Sequence, residues 1–239
     1  MAAPSVDTMS VNYIQLSQDF LYAARTGDSV QGYLDTLVSA EKMELANQLQ
    51  NDQQKLAFWL NIYNGFTQVI LSKNPEKYNS RGAFFSDKQI LIAGQELSLD
   101  IIEHDLLRRS QIKWGLGYLT KVFPSRFEKK FRVSNPDSRI HFALNCGAKS
   151  CPPIAFYEPE EIDSQLEMAM QTYLSNEVEF DAEKNIVKLP AIMGWFRGDF
   201  GGKKNMLELL RKNNFIGGDA SPKIEFKEYD WTLFLSNYK

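Results

Sequence analysis

The stretch KLAFWLNIYNGFTQVIL, residues 55–71, decides the fold. At 100° per residue it is apolar around most of its circumference, which is typical of a helix buried on nearly all sides. The remaining strip holds only amides and small residues: Ala57, Asn61, Asn64, Gly65 and Gln68. Because buried amides must find hydrogen-bond partners, Asn61 and Asn64 either tie neighbouring backbone groups in place or line a cleft.

The rest of the chain reads as helices followed by mixed elements. Residues 10–72 have helical apolar spacing with breaks near residues 27–28 and 39–42. Beyond Pro75 we predict a hairpin (89–97), a helix (98–109), a strand (139–144), a helix (160–174), a second hairpin (178–189), a helix (204–211) and a strand (223–227). The expected fold is α+β, a helical N-terminal layer packed on a small, mostly antiparallel sheet. Residues 1–53 would pack on a core formed by residues 54–239, in one globular unit.

Charge and hydropathy exclude some classes of function. The 239 residues carry a formal net charge of −3. Nucleic acids and anionic membranes select strongly basic surfaces, so this charge argues against either of them as a partner for the surface as a whole. The longest uncharged stretch, residues 56–72, is shorter than the roughly 20 residues of a membrane span, so no span is expected. A basic run over residues 108–139 precedes an acidic one over 158–183. We interpret these runs as solvated faces, with an anion-binding rim as the alternative.

Two cysteines are too few for a disulfide scaffold and suit a reducing compartment. The cytoplasm is therefore expected, and a clipped signal or lipoprotein anchor stays open. Neither G-x-x-x-x-G-K-[ST] nor G-x-G-x-x-G occurs, and no cofactor is expected. The sequence does not indicate the oligomeric state.

The densest group of reactive side chains lies in RIHFALNCGAKSCPP, residues 139–153. Strand alternation would project His141 away from the more apolar face. A cysteine nucleophile needs a base and oxyanion donors, which His141 and the turn around Gly147 could supply. Three alternatives stay open: zinc held by His141, Cys146 and Cys151 with His104, a Cys146–Cys151 disulfide, and cysteines that only pack.

Glu103 falls inside the apolar arc of the helix predicted after Ser98. A buried carboxylate must be protonated, paired or hydrogen-bonded. We expect either an ion pair with Arg108 or Arg139, or a role in orienting a catalytic histidine. His104 projects about 100° away, toward solvent or a cleft edge.

Five motifs, in order, resemble the family known as domain of unknown function 547: FWLNIYN (58–64), SLDIIEH (98–104), RIHFALNC (139–146), SCPP (150–153) and WFRGDF (195–200). The resemblance runs from about residue 54 to residue 215. It implies that the family positions are Asn61, Asn64, Glu103, His104, His141, Cys146, Cys151 and Asp199. These motifs also suggest a link to papain-like or transglutaminase-like thiol enzymes.

The leading hypothesis is a thiol-dependent acyl transferase or hydrolase acting on a peptide, protein or small acyl substrate. Cys146 or Cys151 would be the nucleophile, with Cys146 favoured because Gly147 lets substrate approach the backbone; His141 would be the base and Glu103 would orient it. The side chains expected to line the cleft are Asn61, Asn64, His104, Arg139 and Asp199, with no metal. The alternative is a non-catalytic interaction domain with a buried network of Glu103, Arg139 and His141.

Overall fold

The computed structural model describes residues 11–238. Residue 10, the predicted start of the first helical stretch, lies outside them. In chain order the helices are α1 Tyr13–Thr26, α2 Gln31–Ser39, α3 Lys42–Gln48, α4 Asp52–Lys73, α5 Arg81–Ser86, α6 Arg126–Phe131, α7 Ile162–Glu177, α8 Ala191–Trp195 and α9 Gly202–Lys212. The strands are β1 Ile90–Ile92, β2 Gln95–Leu97, β3 Glu179–Asp181, β4 Ile186–Leu189 and β5 Lys223–Phe226.

Helix α4 is the centre of the fold. It begins with a capping box in which Asn51 and Gln54 satisfy each other's backbone N–H groups, and it is buried over most of its length. Helix α1 packs along it at Gly65, where a Cβ would lie 2.5 Å from the ring of Phe20. The small residue in the polar strip of α4 therefore lets two helices approach closely.

The sheets are small. Strands β1 and β2 form an antiparallel hairpin around Gly94, which has a φ of 69°. Strands β3 and β4 are antiparallel, and β5 joins β4 in parallel. The α+β class is confirmed, as are both hairpins, and among the strands of residues 11–238 only β4 and β5 pair in parallel. Helix α2 lies beside β1, where the Ala93 N–H donates to the Leu37 carbonyl at 2.9 Å.

Two groups of buried apolar side chains form the interior. The larger one joins α1, α3 and α4 to β1, β2 and the first half of α7. The smaller one joins the second half of α7 to β4, α8 and α9. Phe142 belongs to the smaller group although its neighbours Ile140 and Ala143 belong to the larger, so the 138–151 segment runs along the boundary between them.

The strand predicted over residues 139–144 is wrong. Residues Ser138–Phe142 form a 3₁₀ helix, whose first turn is capped by the Asp137 side chain accepting from the Arg139 N–H at 2.9 Å. Ile140, His141 and Phe142 are consecutive and all buried, so burial does not alternate along this segment as it would on a half-exposed strand. The alternation read from the sequence came from two packing surfaces, one in each apolar group, rather than from a strand.

Within residues 11–238, none of the helices combines the length and apolarity needed to cross a bilayer.

Candidate active site

A cavity of about 310 Å³ opens between α4, the helix Ile101–Leu107, α8 and the C-terminal segment. Its polar lining consists of Asp100, Glu103, His104, Lys113, His141 and Cys146. Its aromatic walls consist of Tyr63, Phe85, Trp195, Phe196, Tyr229 and Trp231. A mostly apolar cavity with a few convergent ionisable groups is the usual form of a small-molecule or active site.

The helix Ile101–Leu107 positions two of the polar groups, Glu103 and His104. It is a π-helix, in which the Arg108 N–H donates to the Glu103 carbonyl at 2.8 Å, five residues back. Single π-helical turns are rare and frequently mark functional sites. The wider turn differs from the 100° wheel used for the sequence, and it brings Glu103 and His104 to the same cavity while Arg108 is buried beneath them.

A chain of hydrogen bonds connects the two histidines. The Asp199 carboxylate contacts His141 Nε2 at 2.7 Å, and it accepts from Arg108 Nε at 2.6 Å and from Arg108 Nη2 at 3.1 Å. Arg108 Nη1 lies 2.8 Å from His104 Nδ1. Phe196 covers this chain, with its ring stacked 4.0 Å from that of His141 and 4.5 Å from the Arg108 guanidinium.

The charges of this chain fix both histidine tautomers. Desolvation acts to raise the pKa of Asp199, but hydrogen bonds from His141 and Arg108 outweigh it and bring that pKa to about 2. An ionised carboxylate only accepts, so His141 carries its proton on Nε2 and its Nδ1 is left as the basic nitrogen. Arginine only donates, so His104 Nδ1 is an acceptor. Burial lowers the pKa of both histidines, well below its usual range for His104, and both rings are neutral near pH 7.

Glu103 is placed differently from the hypothesis. Asp199, not Glu103, is the carboxylate that contacts His141. The Glu103 oxygens lie 3.6 Å from His104 Nδ1 and 3.4 Å from the Tyr63 hydroxyl, which donates to them. Burial raises the pKa of Glu103 to about 7, against the opposing field of Arg108. Glu103 is therefore a carboxyl group that titrates at neutral pH inside the cavity.

Cys146 and Cys151 form a disulfide, so neither is a thiol in this structure. The Tyr229 hydroxyl lies 3.3 Å from Cys146 Sγ and 3.1 Å from Cys151 Sγ. Of the two sulfurs, only that of Cys146 belongs to a residue lining the cavity. Two sulfurs bonded to each other leave no pair of thiolates for a metal, and residues 11–238 contain no group of three or more His, Cys, Asp or Glu side chains that could hold one. The zinc alternative is not supported.

The turn at Gly147 serves packing. Gly147 has a φ of 85°, and a Cβ there would lie 2.7 Å from the Leu71 side chain, so the space beside it is filled rather than open to substrate. The Gly147 N–H donates to Asn145 Oδ1 at 2.9 Å and the Cys146 N–H donates to Cys151 Sγ at 2.9 Å. Neither N–H is a free oxyanion donor in this structure.

Asn61 and Asn64 do not line the cavity. Asn61 exchanges two hydrogen bonds with the backbone of Tyr157, at 2.9 and 3.0 Å. Asn64 donates to the Ala143 carbonyl at 3.0 Å and accepts from the Asn145 N–H at 2.9 Å. Both side chains are fully buried, and both tie loops to α4. The Asn64 bonds hold the segment between His141 and Cys146 in place.

Arg139 also lies outside the cavity lining. It pairs with Asp137 at 2.7 Å, Asp163 at 2.6 Å and Glu167 at 3.4 Å, on the side facing the start of α7. It contacts neither Glu103 nor His141 in the expected network. The buried cation of the site is Arg108, whose exposed fraction is 1%.

Comparison with known families gives one match. The family model described as a protein of unknown function, DUF547, matches residues 46–174, more than half of the chain. The chain belongs to the DUF547 family. No curated protein and no solved structure matches it. The matched part of this DUF547 chain contains Glu103, His141 and both cysteines, whereas Asp199 lies beyond it.

Several cavity residues of the DUF547 domain were not anticipated from its sequence. They include Tyr63, Asp100, Phe196 and Tyr229. Tyr63 is within the FWLNIYN motif, Asp100 is within SLDIIEH, and Phe196 is within WFRGDF, three residues before Asp199. The motifs therefore carried a signal for these three. Tyr229 comes from a C-terminal segment whose approach to the cysteines depends on tertiary packing alone.

Proposed function

We propose that this domain is a thiol-dependent acyl transferase or hydrolase, with Cys146 as its nucleophile in the reduced state. The observation that carries the proposal is that Cys146 and a histidine oriented by a buried carboxylate line the same aromatic-walled cavity. Nucleophile, base and orienting group are the three parts of a thiol acyl-transfer site.

The disulfide has to be opened first. An external dithiol supplies two electrons and two protons, becomes a disulfide itself and leaves Cys146 and Cys151 as thiols. A reducing compartment such as the cytoplasm, the expected location, would keep the pair in this form. In an oxidising compartment the pair would stay closed and the site inactive.

The chemistry then follows from the charges of the site. His141 Nδ1 takes the Cys146 proton, and the thiolate attacks a carbonyl carbon to form a C–S bond. The leaving group departs with the proton held by His141, and water, deprotonated by the same nitrogen, hydrolyses the thioester. Asp199 stabilises the imidazolium formed between these steps, since it stays ionised down to a pH of about 2.

Tyr229 supplies the oxyanion donor in this proposal. Its hydroxyl already lies 3.3 Å from Cys146 Sγ. Burial raises its pKa far above 10, so the hydroxyl stays protonated and can donate to the developing negative oxygen. The aromatic walls suit an apolar acyl group or side chain on a peptide, protein or small-molecule substrate.

The second candidate is a non-catalytic interaction domain. The observation in its favour is that both cysteines are joined and that Arg108, Asp199 and His141 satisfy one another in a buried network. In this case the network and the disulfide would only stabilise the fold.

Hydrolysis of p-nitrophenyl acetate separates the two candidates. The wild-type chain should hydrolyse the ester, and acquire an acetyl adduct on Cys146, only after reduction with dithiothreitol. Cys151→Ser should be active with or without reductant because Cys146 then has no cysteine in the chain with which to form a disulfide. Cys146→Ser should be inactive under both conditions. His141→Ala should lower the rate about 10²- to 10⁴-fold, the usual contribution of a general base. Equal rates for Cys146→Ser and Cys151→Ser, with no adduct, would contradict the proposal.

A further inference from the structure

The segment between the π-helix and α6 exposes large apolar side chains. Phe123 is 92% exposed, Val122 79%, Trp114 75% and Tyr118 58%. Of the fourteen exposed large hydrophobic residues in the described part of the chain, six fall within residues 113–123, which we call the aromatic loop. Clustering of this kind marks an interaction surface, whereas single exposed apolar residues need no explanation.

The aromatic loop has an ordered backbone. Gln111 and Thr120 form an antiparallel bridge, and the Ile112 N–H donates to the Leu119 carbonyl at 2.7 Å. The Gly198 N–H donates to the Leu116 carbonyl at 2.7 Å. These bonds fix the backbone of residues 111–120 in a conformation that leaves Trp114 and Tyr118 exposed.

Gly117 joins the loop to the cavity. It has a φ of 86°, and a Cβ there would overlap the Asp199 carboxylate. Lys113 and Leu116 belong to the loop and also line the cavity. The loop is therefore part of the cavity rim.

The chain around the loop is strongly basic although the protein as a whole is acidic. Residues 106–136 contain eight arginines and lysines and one acidic residue, Glu128, which is buried. Lys113 and Lys121 are paired with Asp100 at 2.7 Å and Asp105 at 2.6 Å. The exposed cations next to the loop in sequence are Arg109, Arg126, Lys129 and Lys130.

We propose that the aromatic loop docks the protein on an anionic lipid bilayer. Phe123 and Val122 enter the apolar region, Trp114 and Tyr118 lie at the level of the headgroups, and the neighbouring cations face lipid phosphates and carboxylates. A projecting apolar tip can enter a soft bilayer directly, whereas a protein partner must supply a matching pocket. A nucleic acid gives Phe123 and Val122 no apolar phase to enter. Docking brings the cavity rim to the lipid surface.

Flotation of the 239-residue chain with vesicles tests this inference. Binding is expected to phosphatidylcholine vesicles that contain phosphatidylserine, and it should be weaker on phosphatidylcholine alone and at high salt. Val122→Ser with Phe123→Ser should weaken partitioning at least ~10-fold by removing the apolar tip. Lys129→Gln with Lys130→Gln should cost ~10-fold on the anionic vesicles only.

Matched pairs control for general surface changes. Met43→Ser with Met168→Ser removes two exposed apolar side chains elsewhere, and Lys203→Gln with Lys204→Gln removes two exposed lysines of α9. Both pairs should bind like the wild type, and circular dichroism should show all variants folded.

Failure to bind phosphatidylserine vesicles would overturn the proposal, as would binding unaffected by the tip variant. A wild-type dimer that the tip variant dissociates, without vesicle binding, would instead assign the loop to self-association. Ester hydrolysis in detergent-free solution is independent of all these outcomes.

Discussion

The buried group of Arg108, Asp199 and His141 beside the cavity, which we call the floor, differs from the aromatic loop on the rim in the exposure of its side chains. On the floor, the side chains of Arg108, Asp199 and His141 are buried, and the hydrogen bonds that join them are 2.6 to 3.1 Å long. On the loop, Phe123 and Val122 are apolar and stand almost fully in solvent. The floor has its partners within the chain, whereas in our proposal the loop finds its partner outside the chain, in a lipid bilayer. Mutations in the floor should therefore lower the free energy of unfolding, whereas mutations in the loop should leave it almost unchanged.

The largest expected effect is on the buried ion pair. Arg108→Met leaves the Asp199 carboxylate buried without its cation, and breaking such a pair costs about 3–5 kcal/mol of unfolding free energy. Urea unfolding measures this change. Phe123→Ser is the control from the loop, and it should change the free energy by no more than about 0.5 kcal/mol because its side chain packs against little. Similar costs for both variants would remove the contrast between the two regions.

A smaller effect concerns Glu103 and pH. Its pKa is raised from 4.5 to about 7 in the folded chain, so the folded state binds this proton more tightly than the unfolded state. The contribution of the protonated Glu103 to the free energy of unfolding is complete below a pH of about 4.5 and is lost as the pH rises through about 7. Between about pH 4.5 and pH 8, the free energy of unfolding of the wild type should fall by up to about 3 kcal/mol relative to that of Glu103→Gln.

Unfolding in urea at both pH values gives this difference. Glu96→Gln, at an exposed position of β2, should track the wild type at both. A wild-type stability that keeps a constant offset from Glu103→Gln would show that burial does not perturb this carboxyl group.

The sequence revealed those parts of the fold that depend on local pattern. The burial of α4, both hairpins, and the terminal helices and strand follow from apolar spacing and turn residues. The segment 139–144 did not, because its alternating side chains serve two packed surfaces instead of the two faces of a strand. The exposure of Val122 and Phe123 was also missed, since a short apolar run is read as core unless its neighbours are known.

The sequence named several residues that line the cavity, but it did not show which of their side chains contact each other. Glu103, His104, His141 and Cys146 do meet at one cavity. That Asp199 contacts His141 depends on a contact 58 residues apart in the chain, and the π-helical turn changes which side chains share a face with Glu103. Such long-range contacts and local departures from regular helix geometry leave no periodic signal in the sequence.

The pH dependence of iodoacetamide alkylation, followed separately at Cys146 and Cys151 in the reduced native protein, tests the central claim most directly. The account predicts that Cys146 reacts with a pKa well below the ordinary thiol value of about 8.5, and that the shift disappears in His141→Ala and shrinks in Asp199→Asn. Cys151 should react only slowly, because it is almost fully buried. A Cys146 that titrates at its ordinary value, or whose pKa is the same in wild type and His141→Ala, would contradict the account.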